Sequence, residues 1–246
     1  AAAVKRPEVL LQAEKELAFI EKNQLTCYFL TDENYPKRLK ECSDAPVLLY
    51  FKGGADLNAS RIISIVGTRH ATEYGRAMTD ELVHTLSLSI PNLLIVSGLA
   101  YGIDVCAHRA ALKANLPTVG VLAHGLDRIY PPSHRSVAVD MLDRGGLLTE
   151  FRSGTEPDKP NFVRRNRIVA GMADATVVIE SAEKGGSLIT ADLAFSYGRD
   201  VYAFPGRVND LHSKGCNALI RQNKAGLITS ASDLISALCW DIKETA

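Results

Sequence analysis

The sequence predicts an α/β chain built around a doubly wound, mostly parallel sheet. Two observations carry that expectation. From residue 60 onward, seven short apolar runs alternate with stretches of helical periodicity, the order that a parallel sheet covered by helices requires. The runs also lack the in–out alternation of a half-exposed strand, so both faces of those strands are expected to be buried.

The elements follow in chain order. Residues 7–23 read as a helix, with Pro7 in the first turn and Leu10, Leu11, Leu17 and Ile20 as its apolar positions. Residues 34–57 read as a short helix followed by a hairpin-like extended piece that turns at Gly53-Gly54. Strands are expected at 62–66, 93–96, 118–122, 146–148, 176–179, 201–204 and 226–228. Helices are expected near 72–88, 104–114, 134–143, 162–171, 187–197, 216–223 and 231–239. Residues 58–246 are thus expected to form one extended Rossmann-like domain, with 1–57 as a small helical and extended N-terminal extension packed on it. Hydrophobic residues make up 46% of the 246, enough to fill such a core.

Charge and cysteine usage narrow the function classes. Lys+Arg and Asp+Glu both number 28, so the formal net charge is zero. That weakens any claim of a globally basic nucleic-acid binder and leaves a local basic patch open, because binding responds to the local field. The five cysteines (Cys27, Cys42, Cys106, Cys216, Cys239) are odd in number and form no C-x-x-C pair. That argues against a disulfide framework or a zinc site and for a reducing cytoplasm. The first residues lack the apolar core of a signal peptide. The uncharged stretch 85–103 is interrupted by Ser87, Ser89, Pro91, Asn92, Ser97 and Gly98. It reads as a helix end, a turn and a buried strand, and no membrane association is expected.

In doubly wound sheets ligands bind beyond the C-terminal strand ends, so the loops there carry the functional argument. The first holds Gly67, Thr68 and Arg69, with Thr72 as a candidate N-cap. Free N–H groups at a helix start attract an anion, and Arg69 adds a charge-assisted phosphate contact; a plain turn with a solvated arginine is an equal reading. The second holds Ser97 and Gly98, where the backbone can approach a phosphate closely. Asp104 reads as an N-cap rather than a catalytic acid, and His108 as a satisfied core or cap histidine rather than a ligand. The Pro131-Pro132 loop reads as a rigid connector.

The stretch KPNFVRRNR (159–167) is the most informative. Lys159, Arg164, Arg165 and Arg167 surround Phe162, and Asn166 adds an amide. Cations interleaved with an aromatic suit a single-stranded nucleic acid. A solvated basic face with Phe162 in the core is the alternative, but positive charge at a helix N-terminus opposes the macrodipole. Gly185-Gly186-Ser187 opens a later helix as a phosphate nest. No G-x-G-x-x-G, Walker A, H-E-x-x-H or G-x-S-x-G pattern occurs, and no catalytic residue, cofactor or metal is expected.

The ordered segments IVGTRHATEYG, IVSGLAYGIDVCAH, GLDRIYP, NFVRRNRIVAG, GGSLITADLAFSYGRDVYAFPG and GCNALI, preceded by YPKRLKECSDAPVLLYFKG, resemble the DNA-processing protein A family (DprA, also called Smf) over about residues 28–230. The resemblance implies an extended Rossmann fold, dimerisation, single-stranded DNA binding, loading of the RecA recombinase, a role in natural transformation and no enzymatic activity. Carried onto this chain, it implies that Arg69 grips phosphate, that Ser97-Gly98 and Gly186-Ser187 form turns at the DNA, and that Lys159, Phe162, Arg164, Asn166 and Arg167 line it. Val163 stands where the family often has proline, and Lys184-Gly185 precedes Gly186-Ser187 where a shorter Ser-Gly-Ser is typical. Many relatives carry a winged-helix domain after the Rossmann domain, which this sequence lacks as given. Two other readings stay open: an enzyme acting on a small nucleotide, since 185–190 partly echoes the loop of nucleoside-monophosphate phosphoribohydrolases, and a protein-interaction scaffold with a vestigial pocket.

Overall fold

The computed structural model describes residues 7–240; the outer ends of the two expected regions, 1–6 and 241–246, lie outside the described residues. A leading helix α1 (Pro7–Asn23) is followed by β1 (Thr26–Phe29), α2 (Lys37–Lys40) and β2 (Leu48–Gly53). Then β3 (Ile62–Gly67), α3 (Glu73–Ser89), β4 (Leu94–Ser97), α4 (Ile103–Lys113) and β5 (Thr118–Val121) alternate. The chain continues through α5 (Arg135–Asp140), β6 (Gly146–Thr149), α6 (Lys159–Gly171), β7 (Ala175–Ile179) and α7 (Gly186–Ser196). It closes with β8 (Asp200–Ala203), α8 (Lys214–Arg221), β9 (Gly226–Leu227) and α9 (Ala231–Ala237).

These strands form one sheet in the order β1-β2-β6-β5-β4-β3-β7-β8-β9. The seven strands from β6 to β9 in that order are mutually parallel. The doubly wound expectation is therefore met. Consecutive β3 residues face opposite layers: Ile62 and Val66 join a cluster with Ile168 and Val169 of α6 and Ala191 and Ala194 of α7. Ile63 and Ile65 join a cluster with Leu82 and Leu86 of α3 and Ala107 and Ala111 of α4. A strand buried on both sides has no polar face to show, hence its near-continuous apolar run.

The chain runs outward from β3 to β6 on one side, then returns to β7 on the other side of β3. That reversal is the topological switch point, and it opens a crevice between the loops after β3 and β7.

The hairpin-like piece expected within 34–57, turning at Gly53-Gly54, is corrected. β2 pairs antiparallel with β1, some twenty residues earlier, and with β6 on its other side. Gly53-Gly54 does not reverse the chain. Gly53, at φ 149°, passes directly against residues 145–146, where a side chain would collide with the Gly145 carbonyl. The Gly54 and Ala55 N–H groups both donate to that carbonyl at 2.9 Å. The segment is bolted to the parallel sheet a second time: Arg38 donates from Nε and Nη2 to the Asp174 carboxylate at 2.6 and 3.0 Å, and the same carboxylate accepts from the Ile62 N–H at 2.8 Å.

Candidate functional site

At the switch point lies a cavity of about 610 Å³, lined by the β3, β4 and β7 loops, one face of α6 and the start of α7. Its geometry follows from local rules. The Thr72 side chain caps α3 by accepting from the Gly75 N–H at 3.2 Å. Thr72 is itself held by the buried carboxylate of Glu180, which accepts from its hydroxyl and from its N–H. Across the cavity, α7 starts at Gly186 with no side-chain cap. Its leading N–H groups are therefore open to an anion. The Ser187 hydroxyl points away from that role, donating to Ser181 Oγ at 2.9 Å.

Helix α6 forms the third wall. Residues 159, 162, 163 and 166 fall on one face at i, i+3, i+4 and i+7 spacing, and all four line the cavity. Phe162 presents a ring whose centroid lies 5.9 Å from that of Tyr130 and 5.2 Å from the Arg69 guanidinium carbon. Arg69 and Lys159 are exposed, and neither has a carboxylate in ion-pair range among the described residues. Two unneutralised cations and a helix N-terminus thus converge around an accessible aromatic.

The structure separates the basic run. Arg164 and Arg167 lie outside the cavity lining and both reach Glu150 Oε2 at 2.6 Å. Expected as phosphate contacts, they instead neutralise an acid that is 14 and 17 residues distant in sequence but adjacent in space. Arg165 lines the cavity from beneath and is only 4% exposed. Its Nη1 donates to the Gly98 and Val121 carbonyls. Burial pulls its pKa down to about 10, against the opposing pull of Asp104. Arg165 therefore holds the cavity floor in shape and has few donors left for a ligand. Gly98 is the residue that lets it approach, since a Cβ there would strike the guanidinium.

Of the other expected residues, Gly67, Thr68, Gly98, Asn166, Gly186 and Ser187 line the cavity. Ser97 does not: it is fully buried and donates to the Ile65 carbonyl at 2.6 Å, tying β4 to β3. Asp104 is corrected in role. Gly102, at φ 76°, occupies the N-cap position of α4. Asp104 sits inside the first turn and accepts from the Gly98 N–H at 3.1 Å. Burial pushes its pKa up, opposed chiefly by Arg165. His108 is a core residue as expected, bonded through Nδ1 to Thr118 Oγ1 at 2.7 Å.

The family described as DNA recombination-mediator protein A matches residues 26–239. The chain belongs to that family.

Its relatives agree in sequence and in fold. The DNA processing protein DprA of Streptococcus pneumoniae is 38% identical over 209 residues, 85% of this chain and 73% of that protein. Protein Smf of Synechocystis is 39% identical over 224 residues, 89% of this chain, but the match spans only 56% of that relative's length. Among solved structures, the DprA of Streptococcus pneumoniae superposes with a TM-score of 0.82 at 36% identity, over 94% of this chain and 82% of that one. The DprA of Helicobacter pylori, whose structure concerns its single-stranded DNA binding mode, gives 0.79 at 30% identity, over 89% and 97%.

Residues that sequence reasoning did not assign to the site also border this family member's cavity, among them His70, Asp104, Val163 and Ile189. Val163 and Ile189 are apolar yet 45% and 40% exposed. The signal for both was available: each lies one or three residues beyond an assigned position, on the helix face turned to the crevice. No described helix is long and apolar enough to cross a membrane.

Proposed function

We propose that this chain binds single-stranded DNA in the switch-point cavity and helps load RecA recombinase onto the bound strand. It does so by binding rather than by catalysis, as a homodimer in the cytoplasm, during DNA uptake in natural transformation. One observation carries the DNA reading: Arg69, Lys159 and the uncapped start of α7 surround the accessible ring of Phe162. Cations track a backbone while an aromatic face accepts any unstacked base, and only a single strand offers both together. The Helicobacter pylori relative, a protein with a described single-stranded DNA binding mode, supports the same ligand. A dimer places two cavities along one strand, raising avidity through effective concentration. The RecA and transformation roles rest on family membership.

The experiment is fluorescence anisotropy with single- and double-stranded oligonucleotides of equal length across a salt series. Preference for the single strand with a steep salt slope is the expected result. Equal binding of both forms, or none at low salt, would overturn the reading. RecA filament assembly on the bound strand, with and without this chain, then tests the loading step.

A further inference from the structure

We propose that Glu180 is a positioning residue: it closes the cap of α3 from a different strand and thereby sets Arg69 against the start of α7. The inference rests on the reading of the cavity as a single-stranded DNA site. A helix start is commonly closed by its own residues. The N-cap hydroxyl accepts from the N3 N–H, and an N3 carboxylate reaches back to the N-cap N–H. Helix α9 does this within one turn, through Ser230 and Asp233.

Helix α3 makes only half of that arrangement. The Thr72 hydroxyl accepts from the Gly75 N–H at 3.2 Å, but the N3 residue is this glycine, which has no carboxylate to return. Glu180, just past the end of β7 and 108 residues from Thr72, supplies it. Its Oε2 accepts from the Thr72 N–H at 2.9 Å and its Oε1 accepts from the Thr72 hydroxyl. Gly75 is what admits it, since a Cβ there would strike Oε2.

Two features make this arrangement costly to keep. Glu180 lies at φ 52°, in the left-handed region that side chains disfavour. It is also only 3% exposed, with no arginine or lysine in ion-pair range among the described residues. A glutamate at position 75 would cap α3 without either cost. What the distant carboxylate adds is a tie between loops. The Glu180 carbonyl accepts from the Thr68 N–H at 2.8 Å, so Arg69, His70 and Ala71 are stapled at both ends to one residue. Arg69 and His70 line the cavity. On its other side Glu180 leads into Ser181, whose Oγ accepts from the Ser187 hydroxyl at 2.9 Å beside the uncapped start of α7. The spacing between Arg69 and that helix start thus runs through Glu180. Backbone strain of this kind gathers at functional sites.

The test uses the full chain, a labelled oligothymidylate across a salt series, and urea midpoints. Glu180→Ala is expected to lower the midpoint, weaken binding and flatten the plot of log K against log salt by about 0.7, one phosphate's worth. Adding Gly75→Glu to Glu180→Ala moves the carboxylate into α3 and rebuilds the cap locally. The midpoint is then expected to recover while affinity and slope stay lowered. Recovery of all three together would make Glu180 a cap and nothing more, which overturns the proposal. In Arg69→Ala, adding Glu180→Ala should weaken binding no further, because both act through one contact; losses that add overturn it too. Gly75→Ala keeps Glu180 but evicts its carboxylate, while introducing a better helix former. A flattened slope there supports the tie and a wild-type slope overturns it, whether or not Glu180→Ala folds. Wild-type affinity and slope in Glu180→Ala overturn the proposal and leave the DNA reading standing. Failure of the wild-type chain to bind the strand overturns both.

Discussion

The Arg69 guanidinium carbon lies 5.2 Å from the ring centroid of Phe162, so this exposed cation packs on the aromatic that lines the cavity beside it. In the proposed DNA site one residue would thereby couple charge to the orientation of the ring. Arg69→Ala is expected to weaken single-strand binding and to flatten the plot of log K against log salt by about 0.7, one phosphate's worth on a single strand. Arg69→Lys should restore the slope but not the full affinity, since an ammonium lacks the planar face that stacks. A slope unchanged in Arg69→Ala removes this residue from the DNA path.

Phe162 separates stacking from charge. Its ring is half-buried and flanked by Tyr130 and Arg69. Phe162→Ala should cost about 1–3 kcal/mol of binding, the worth of one stacked base, at an unaltered salt slope. Phe162→Tyr should bind nearly as the wild type does. A Phe162→Ala protein of normal affinity would mean that the ring serves only the packing of α6 against the 124–132 loop.

Adjacent arginines of α6 should behave oppositely. Arg165 is buried and bonds two main-chain carbonyls, so Arg165→Ala leaves those buried acceptors unmatched and removes a cation near Asp104. Its cost to stability is expected to be about 3 kcal/mol, read as a lowered urea midpoint. Arg164 has a side chain 60% exposed and shares Glu150 with Arg167. Arg164→Ala should cost less than about 1 kcal/mol. Equal losses in the two variants would contradict the burial difference on which the assignment rests.

The contrast between those neighbours shows where the sequence was legible and where it was not. Runs such as 62–66 announce themselves, because a strand covered on both faces must be apolar throughout. Gly67, Arg69, Lys159, Phe162 and Gly186 were legible because a parallel sheet puts every candidate loop at one end. The β1–β2 ladder was not, since its pairing joins 26–29 to 48–51 and 50–53 to 146–149, with no turn between partners to mark it. The basic run misled for a related reason. Successive helix positions turn by about 100°, so four cations in nine residues scatter over several faces, and only the fold shows that Glu150 claims two of them. Asp104 looked like a cap because a carboxylate near a helix start usually is one; Gly102 holds that place through its positive φ.

Acid sensitivity should trace to His108. It is fully buried, its Nδ1 is bonded to Thr118, and its Nε2 has no partner. Burial first, then Arg165 and His134, lower its pKa to about 3. The folded value lies below the unfolded one, near 6.5, so the unfolded chain takes up the proton first. Stability is complete above about pH 6.5 and falls as the pH drops toward 3, by up to about 1.4 kcal/mol per pH unit for one proton. Urea midpoints measured between pH 7 and 5 should decline, and less steeply in His108→Gln. The same decline in both proteins would assign the effect to other groups, such as His124, whose pKa burial also lowers.

The first 57 residues should prove inseparable from the rest. β2 covers the edge of β6 through the pairs Tyr50–Thr149 to Gly53–Gly146, and Tyr35, Leu39 and Phe51 belong to the same buried cluster as Ile168 and Val178. A chain starting at residue 58 would leave β6 as an open, apolar edge strand, which is a template for intermolecular pairing, and would uncover one face of α6. It would also lose the Arg38 clamp on Asp174, freeing a carboxylate beside the start of β3. Expression of 58–246 is therefore expected to give insoluble or aggregated protein, scored by size-exclusion chromatography beside the full chain. A monodisperse, cooperatively unfolding product would show instead that the parallel sheet closes its own core, and that β1 and β2 are an addition the rest of the fold can do without.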